Sequence, residues 1–205
     1  MQNGESRIVN FGCGPHPTAN CINIDGSPTV LLAHLPLPAR FFGPRSHFVA
    51  AVRTFNIRYC NVRRLAFPES SLDGFFAEHV LEHLSRKVCI RLLKGVLCWL
   101  KPAGVLRVVL PDLRRLAEGY VSNQLDADEF VTRTRLVPTN PAFGSRFGYN
   151  RHLWMYDAQS FMALLREIGF RNVEETAVGR SRLNSLASLD RVSRKNESFY
   201  VEAEK

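Results

Sequence analysis

The sequence has few cysteines, and none of them forms a paired motif. The five are odd in number and scattered along the chain, and no two have C-x-x-C spacing. They are Cys13, Cys21, Cys60, Cys89 and Cys98. This usage argues against a disulfide framework and against a zinc knuckle. We therefore predict reduced thiols and a cytoplasmic protein.

Long apolar runs are also missing. No stretch approaches the roughly 20 apolar residues that a membrane span needs, and the N-terminus is polar, without an apolar targeting segment. With 205 residues and 45% hydrophobic content, the chain is long enough to bury a full core. We predict one domain over residues 1–205 and no transmembrane segment.

Acidic residues are outnumbered by basic ones. The formal net charge of +8 attracts anionic partners such as nucleic acid, phosphorylated sugars or a membrane surface. A soluble protein that is merely basic explains the same charge equally well.

A glycine turn near the start is the first motif that carries chemistry. The apolar run at 7–11 leads into Gly-Cys-Gly at 12–14, and a second apolar run at 22–24 ends in Asp25. Strand, glycine turn, strand and acid are typical of a nucleotide site. There the main chain approaches the ligand and the acid accepts the ribose hydroxyls.

The features of a dinucleotide fingerprint are lacking after this turn. Such a fingerprint needs a third glycine at the position of Pro17 and a helix that begins there, and Pro15 and Pro17 resist that helix. A pyrophosphate normally binds at the N-terminus of the missing helix. The sequence therefore favours a nucleoside ligand without phosphates, and S-adenosylmethionine is the common one.

Strand and helix patterns alternate along the rest of the chain. Strands are predicted at 57–62, 72–77, 105–110, 173–178 and 198–203. Helices are predicted between residues 81 and 100 and after the N-caps Asp112 and Asp157. This alternation indicates a parallel α/β sheet, in which ligands bind outside the carboxyl ends of the strands. The residues at these predicted strand ends are Gly12, Asp25, Asn61, Glu78, His79 and Asp112.

Two segments interrupt the pattern and are candidate lids. The first, at about 35–58, is rich in proline and glycine and then places Phe48, Val49, Val52 and Phe55 on one helical face. It is interpreted as a substrate lid, as a membrane-surface contact, or as a stripe that packs on the protein body. The second, at about 122–151, combines prolines, glycines and arginines in a long surface excursion.

Six short motifs follow one another in order. They are Asn10-Phe11-Gly12-Cys13-Gly14, Ile22-Asn23-Ile24-Asp25, Leu65-Ala66-Phe67-Pro68, His79-Val80-Leu81-Glu82-His83-Leu84, Leu100-Lys101-Pro102-Ala103-Gly104-Val105-Leu106-Arg107 and Pro111-Asp112-Leu113. With these motifs the chain resembles class I S-adenosylmethionine-dependent methyltransferases of the type 11 kind. The segment from His152 to Asp157 resembles one subgroup of them. The resemblance implies a Rossmann-like, doubly wound sheet of seven strands, mostly parallel, with the last strand antiparallel and inserted beside its neighbour.

The resemblance also implies a role for each motif residue. The two turn glycines would pass the methionine and ribose of S-adenosylmethionine, and Asp25 would hold the ribose hydroxyls. Asn61 would meet the adenine amine, Val62 would pack on the ring, and His79 would lie near the methionine part or the acceptor. The predicted cofactor-binding set is Asn10, Gly12, Cys13, Gly14, Asp25, Asn61, Val62, Glu78 and His79.

The sequence departs from the family pattern at three positions. Asn10 stands where an acid is common, which puts its contact to the cofactor's amino group in doubt. Asn61 stands where aspartate is common. Ala103 replaces a glycine in a turn.

Methyl transfer from a sulfonium depends mainly on orientation of the acceptor. A hydroxyl or protonated amine acceptor also needs a general base, and histidine suits that role near neutral pH. The candidates are His79 and His152, with Asp112 behind them. Each has a structural alternative, since a strand-end histidine often caps a helix and Asp112 is also an N-cap. Tyr156 either binds the acceptor or packs in the core.

We predict a methyltransferase that acts on a small-molecule or glycan-type acceptor, with no metal site. Two other functions compete with it. His79-Val80-Leu81-Glu82-His83 matches the H-x-x-E-H pattern of inverted zinc peptidases, in which both histidines bind zinc from one helical face. The basic charge is also compatible with a nucleic-acid-binding or RNA-methylating protein, although no stacking-aromatic motif of an RNA module is present.

Overall fold

The computed structural model describes residues 6–136 and 151–205. Its strands are β1 (Ile8–Phe11), β2 (Cys21–Asp25), β3 (Arg58–Tyr59), β4 (Leu72–Glu78), β5 (Leu100–Pro111), β6 (Arg171–Thr176) and β7 (Ser198–Glu204). They form one seven-stranded sheet in the order β3-β2-β1-β4-β5-β7-β6. The pairs from β3 to β5 are parallel, and β7 is antiparallel to both β5 and β6. The predicted sheet is confirmed, including the inserted antiparallel strand.

Helices flank this sheet. They are α1 (Pro28–Leu32), α2 (Ser46–Phe55), α3 (Arg86–Trp99), α4 (Leu113–Val121), α5 (Ala127–Thr134), α6 (Ala158–Ile168) and α7 (Asn184–Ala187). Asp112 caps α4 through the N–H groups of Arg114 and Arg115, as predicted. Asp157 caps α6 in a reciprocal capping box with Ser160, and the helix ends at Gly169 with φ 113°.

The core lies on both faces of the sheet because adjacent strand residues point in opposite directions. Val9 and Phe75 belong to the large cluster that also contains the apolar faces of α3 and α6. Their neighbours Ile8 and Phe76 belong to a smaller cluster on the other face, with Leu186 of α7. Burial of one such side chain contributes about 1.5–3 kcal/mol, so these clusters fix the register of the central strands.

Several boundaries differ from the sequence prediction, among them a shift of the strand expected at 173–178 to Arg171–Thr176. The strand expected at 57–62 covers only Arg58–Tyr59, because the Asn61 side chain accepts the N–H of Arg63 and starts a 3₁₀ turn at Val62–Arg64. The helix expected from residue 81 is a 3₁₀ turn at Leu81–His83 followed by α3. Strand β5 begins at Leu100, where an irregular register pairs Leu100 with Leu72.

The first candidate lid packs on the body of the protein through part of its predicted face. Val49 and Val52 of α2 are buried with Val30 of α1, Ile57 and Cys13 in a separate small core. The outer surface of this region stays apolar, with exposed leucines at 31, 32, 35 and 37. Of the second candidate lid, α5 and Arg151 are described, and residues 137–150 lie outside the described part of the chain.

A buried arginine lies in the middle of the sheet. Arg107 of β5 is fully buried and forms ion pairs with Asp190 and with Glu202 of β7. Its remaining hydrogen bonds go to the Thr176 hydroxyl and to main-chain oxygens of Ala177 and Arg180. Each guanidinium nitrogen therefore has an acceptor, which is the condition under which a buried charge is tolerated.

No helix within residues 6–136 and 151–205 is long and apolar enough to cross a membrane.

Candidate cofactor and acceptor site

A cleft of about 720 Å³ opens at the carboxyl ends of β1 and β2, where the sequence predicts a ligand. Its volume is within the range of small-molecule and cofactor pockets. The lining residues are Phe11, Gly12, Gly14, Asp25, Gly26, Ser27, Phe48, Tyr59, Cys60, Asn61, Val62, Arg63, His79, Val80, His83, Leu84 and Leu153.

The glycine turn forms one wall of this cleft. Gly12 has φ 70°, and a Cβ atom there would lie 2.5 Å from Cγ2 of Val80, so no larger residue fits without displacement. Gly14 has φ 50°, and a Cβ atom there would meet nothing within 4 Å. The main chain at Gly14 is therefore open to a ligand on the cleft side.

Asp25 ends β2 beside this turn. Its Oδ2 accepts the N–H of Gly14 at 2.9 Å, and its Oδ1 accepts the N–H of Ser27 at 2.7 Å. Burial raises the pKa of the Asp25 carboxyl above its ordinary value, and the two N–H groups oppose that shift. The carboxylate is thus held in one orientation at the cleft by main-chain donors.

The opposite wall of the cleft comes from the chain after β3. Asn61 and Val62 both line the cleft, as the resemblance implies for an adenine site. Tyr59 and Arg63 flank them, and Phe48 of α2 reaches the same cleft from the first candidate lid. Those last three side chains were not predicted as site residues. The predicted apolar stripe of α2 contained the signal for Phe48, but the sequence left open whether that stripe covers a ligand or packs on the protein body.

His79 and Val80 follow directly after β4 and line the cleft. His79 has a positive φ of 51°, which is uncommon for a residue with a side chain. Its Nε2 is 2.7 Å from the Ser198 hydroxyl, and its Nδ1 is 3.4 Å from Oε1 of Glu82. His79 therefore lines the cleft with both of its ring nitrogens directed at protein groups.

His152 lies next to the cleft and not in its lining. The side chain is buried, and its neighbour Leu153 forms the wall. Burial lowers the pKa of His152 to about 4, against the opposing effect of Glu82. The imidazole is therefore neutral near pH 7, with Nε2 3.9 Å from Oε1 of Glu82.

The structure brings His79 and His152 together around Glu82, and it adds His83. Glu82 and His83 were predicted only as part of a zinc peptidase. The signal for Glu82 and His83 was the five-residue motif from His79 to His83. His152, which lies beside them, is remote in sequence and is not part of that motif.

Besides His152, four predicted site residues are absent from the cleft lining. The Asn10 amide donates to Asn23 and to the main chain of His16, because the register of β1 and β2 places Asn10 beside Asn23. The Cys13 side chain lies in the small core with α1 and α2, and burial raises the pKa of its thiol to about 12.

The other two are Glu78 and Asp112. Glu78 is buried and pairs with Arg191 at 2.7 Å, and burial still raises the pKa of its carboxyl. The Asp112 carboxylate is occupied as the cap of α4, and its backbone N–H donates to the carbonyl of Glu197. The N-cap interpretation of Asp112 therefore accounts for its side chain.

The H-x-x-E-H segment does not form the helix that an inverted zinc peptidase requires. His79 follows directly after β4 in a left-handed conformation, and only Leu81–His83 form a 3₁₀ turn. The two histidines therefore do not lie on one helical face.

Comparison with known structures shows that solved methyltransferases share the fold of this chain. It superposes on a SAM-dependent methyltransferase from Archaeoglobus fulgidus with a TM-score of 0.54 and 16% identity, over 98% of this chain and 87% of that one. An S-adenosylmethionine-dependent methyltransferase from Mesorhizobium loti gives a TM-score of 0.54 and 17% identity, over 100% and 93% of the two chains. The chain has the class I methyltransferase fold.

Phosphoethanolamine N-methyltransferase 2 of Haemonchus contortus, solved with S-adenosyl-L-methionine, also superposes, with a TM-score of 0.53 and 12% identity. That match covers 100% of this chain and 50% of the other. No family model and no curated sequence matches the chain.

Proposed function

We propose that the protein is an S-adenosylmethionine-dependent methyltransferase. One observation carries this proposal: the cleft joins an open glycine turn to a single carboxylate, Asp25, that main-chain donors hold in place. A carboxylate in that position can accept the two hydroxyl groups of a ribose. Helix α1 begins only after Asp25, so the turn does not lead into the helix N-terminus that a pyrophosphate would use.

The residues present fit such a cofactor. The main chain at Gly14 has no side chain in the way, and Asn61 and Val62 offer a polar edge and an apolar face for a purine. When bound, S-adenosylmethionine supplies a methyl group activated by the sulfonium. The protein then has to orient an acceptor and exclude water, and His79 and His83 are the cleft side chains whose imidazoles can accept a proton.

The proposed acceptor is a small molecule or a glycan-type intermediate. The cleft continues past His79 to His83, Leu84 and Leu153, so a second ligand can enter beside the cofactor. The lining there mixes imidazole with aliphatic carbon, which suits a compact acceptor that is partly apolar.

Charge supports an anionic acceptor as the second candidate, with nucleic acid as its macromolecular form. Residues 26–68 contain six arginines and no acidic residue, and one of them, Arg63, lines the cleft. Binding to RNA through this surface would weaken steeply as salt rises, because each phosphate contact releases counterions. Lack of RNA binding at low salt would remove this candidate.

The proposal is tested by calorimetry with S-adenosylmethionine, S-adenosylhomocysteine and NAD⁺ on the purified protein. We expect one equivalent of S-adenosylhomocysteine to bind and NAD⁺ not to bind. Binding of NAD⁺ without S-adenosylhomocysteine would contradict the assignment. Acceptor classes are then compared by transfer of a radiolabelled methyl group.

A further inference from the structure

Glu82 is a deeply buried carboxylate. Its side chain is 1% exposed, and neither of its oxygens has a hydrogen-bond partner within residues 6–136 and 151–205. An ionised carboxylate in such a place costs several kcal/mol unless a positive group compensates it. A bound cation would provide that compensation.

Three imidazole nitrogens face this carboxylate, and the nearest of them is Nδ1 of His79, 3.4 Å from Oε1 of Glu82. Nε2 of His83 lies 4.0 Å and Nε2 of His152 lies 3.9 Å from Oε1 of Glu82. The two Nε2 atoms and the carboxylate oxygen all lie within 4.8 Å of one another. These separations are too long for hydrogen bonds, so the nitrogens do not satisfy the carboxylate directly.

The other nitrogen of each ring fixes its tautomer. Nδ1 of His83 lies 2.9 Å from the carbonyl oxygen of Arg151, which only accepts hydrogen bonds, so Nδ1 carries the proton. Nδ1 of His152 lies 3.1 Å from the Met155 sulfur, which is also only an acceptor. In the neutral rings both Nε2 atoms therefore present lone pairs towards Glu82.

The Glu82 carboxylate and these two Nε2 atoms are three electron-pair donors that converge on one place. Such an arrangement is repulsive by itself, and a cation at its centre makes every contact attractive. A ring that donates Nδ1–H to a carbonyl while Nε2 points inward is also the usual arrangement of a histidine that binds a metal.

We propose that Glu82, His83 and His152 bind a divalent transition-metal ion, with Zn²⁺ as the best match. Two imidazoles and one carboxylate are a donor set that zinc accepts, and three protein ligands leave a fourth position for another ligand. Bonds of about 2.0–2.2 Å require the three donors to draw closer together around the ion than they lie here.

The main chain already brings the two ligand segments together. The N–H groups of Leu153 and Trp154 both donate to the carbonyl of Glu82, at 2.7 and 3.2 Å. The N–H of His152 donates to the carbonyl of Arg135 at 3.0 Å. His152 is therefore positioned by hydrogen bonds, so only side-chain adjustment is needed for the site to close on an ion.

The fourth position faces the substrate region of the cleft, since His83 and Leu153 line it. This part of the inference rests on the proposed methyltransferase function. A metal ion at this position would restrict the proposed acceptors to molecules that offer it an oxygen atom, from a hydroxyl, carboxylate or phosphate group. A bound hydroxyl also loses its proton more readily than a free one.

The test uses the full chain, treated with a chelator, freed of any histidine tag and titrated with Zn²⁺ by calorimetry. We expect one equivalent to bind and Glu82→Gln, His152→Gln and His83→Gln each to weaken binding at least tenfold. His34→Gln, at an exposed position away from the cleft, is the matched control and should bind as the wild type does. Circular dichroism of each variant checks folding, and His83→Gln, on the least buried of the three ligands, keeps the test valid if the other two misfold.

The absorption spectrum of bound Co²⁺ gives a second measurement. Nitrogen and oxygen ligands give weak visible bands without the strong charge-transfer band of thiolates, which separates this site from the five cysteines. Absence of binding at micromolar Zn²⁺, or equal binding in all three ligand variants, would overturn the proposal. Titration of S-adenosylhomocysteine on the same samples separates the two proposals, because each ligand is measured without the other.

Discussion

Two of the ionisable side chains that the protein buries, Arg107 and Glu82, differ in how completely they are hydrogen-bonded. Arg107 has two carboxylates, a hydroxyl and two carbonyls around it. Glu82 is just as deeply buried and has no hydrogen-bond partner in the described chain, with imidazole lone pairs turned towards it. A buried charge with complete partners joins strands, whereas a buried charge without them indicates a ligand.

The largest expected effect comes from Arg107→Met. Removal of the guanidinium leaves Asp190 and Glu202 buried without a cation, which typically costs about 3–5 kcal/mol of unfolding free energy. Chemical denaturation followed by circular dichroism measures it. Arg114→Met is the control, because the Arg114–Asp157 pair at 3.6 Å is largely exposed and should change stability by less than about 1 kcal/mol. Equal losses of unfolding free energy in Arg107→Met and Arg114→Met would contradict the expected difference between a buried and an exposed ion pair.

Asp25→Asn is expected to have the next largest effect. In its hydrogen bonding Asp25 is intermediate between Arg107 and Glu82, since it has two main-chain donors and remains open to the cleft. Loss of the charge-assisted bonds to ribose should lower the affinity for S-adenosylhomocysteine about 10- to 100-fold. Calorimetry checks this, with Asp73→Asn as control because Asp73 pairs with Lys101 at the other end of β4. An unchanged affinity in Asp25→Asn would mean that the ribose contact is elsewhere.

The pH dependence of binding should follow the same carboxylate. Burial raises the pKa of Asp25, and the ionised form is the one that accepts hydroxyl groups. Affinity for S-adenosylhomocysteine should therefore fall as pH decreases through that raised pKa, by about tenfold per pH unit below it. The loss should begin at a higher pH than for an exposed aspartate. Calorimetry of the wild type and Asp25→Asn between pH 7 and pH 4 tests this, and a dependence that survives in the variant would contradict it.

Glu82→Gln should have the smallest effect on stability. The substitution keeps the shape of a side chain that accepts no hydrogen bond within the described residues, so the free energy of unfolding of the metal-free protein should change by no more than about 1 kcal/mol. Methyl transfer in the variant should nevertheless fall. Denaturation of the chelator-treated protein is the measurement. A loss as large as that of Arg107→Met would show that Glu82 also serves to hold the fold together.

Local patterns in the sequence were sufficient to predict the sheet and the residues that form one side of the cleft. Alternating apolar residues and turn residues predict β1, β2 and β4, and therefore the positions of Gly12 and Asp25. Side-chain direction was harder, because a strand residue faces one of two sides and Asn10 faces Asn23. The cluster around Glu82 depends on main-chain bonds from Leu153 and Trp154, and no local pattern contains a contact between residues so distant in sequence.

The position of β7 also determines how β6 is attached. This strand follows β6 in the chain and lies between β6 and β5, so among the described strands β6 is hydrogen-bonded to the sheet through β7 alone. Glu202 of β7 is also one of the two carboxylates that pair with the buried Arg107. Displacement of β7 would therefore detach β6 from the sheet and at the same time remove one of the two carboxylates that neutralise Arg107.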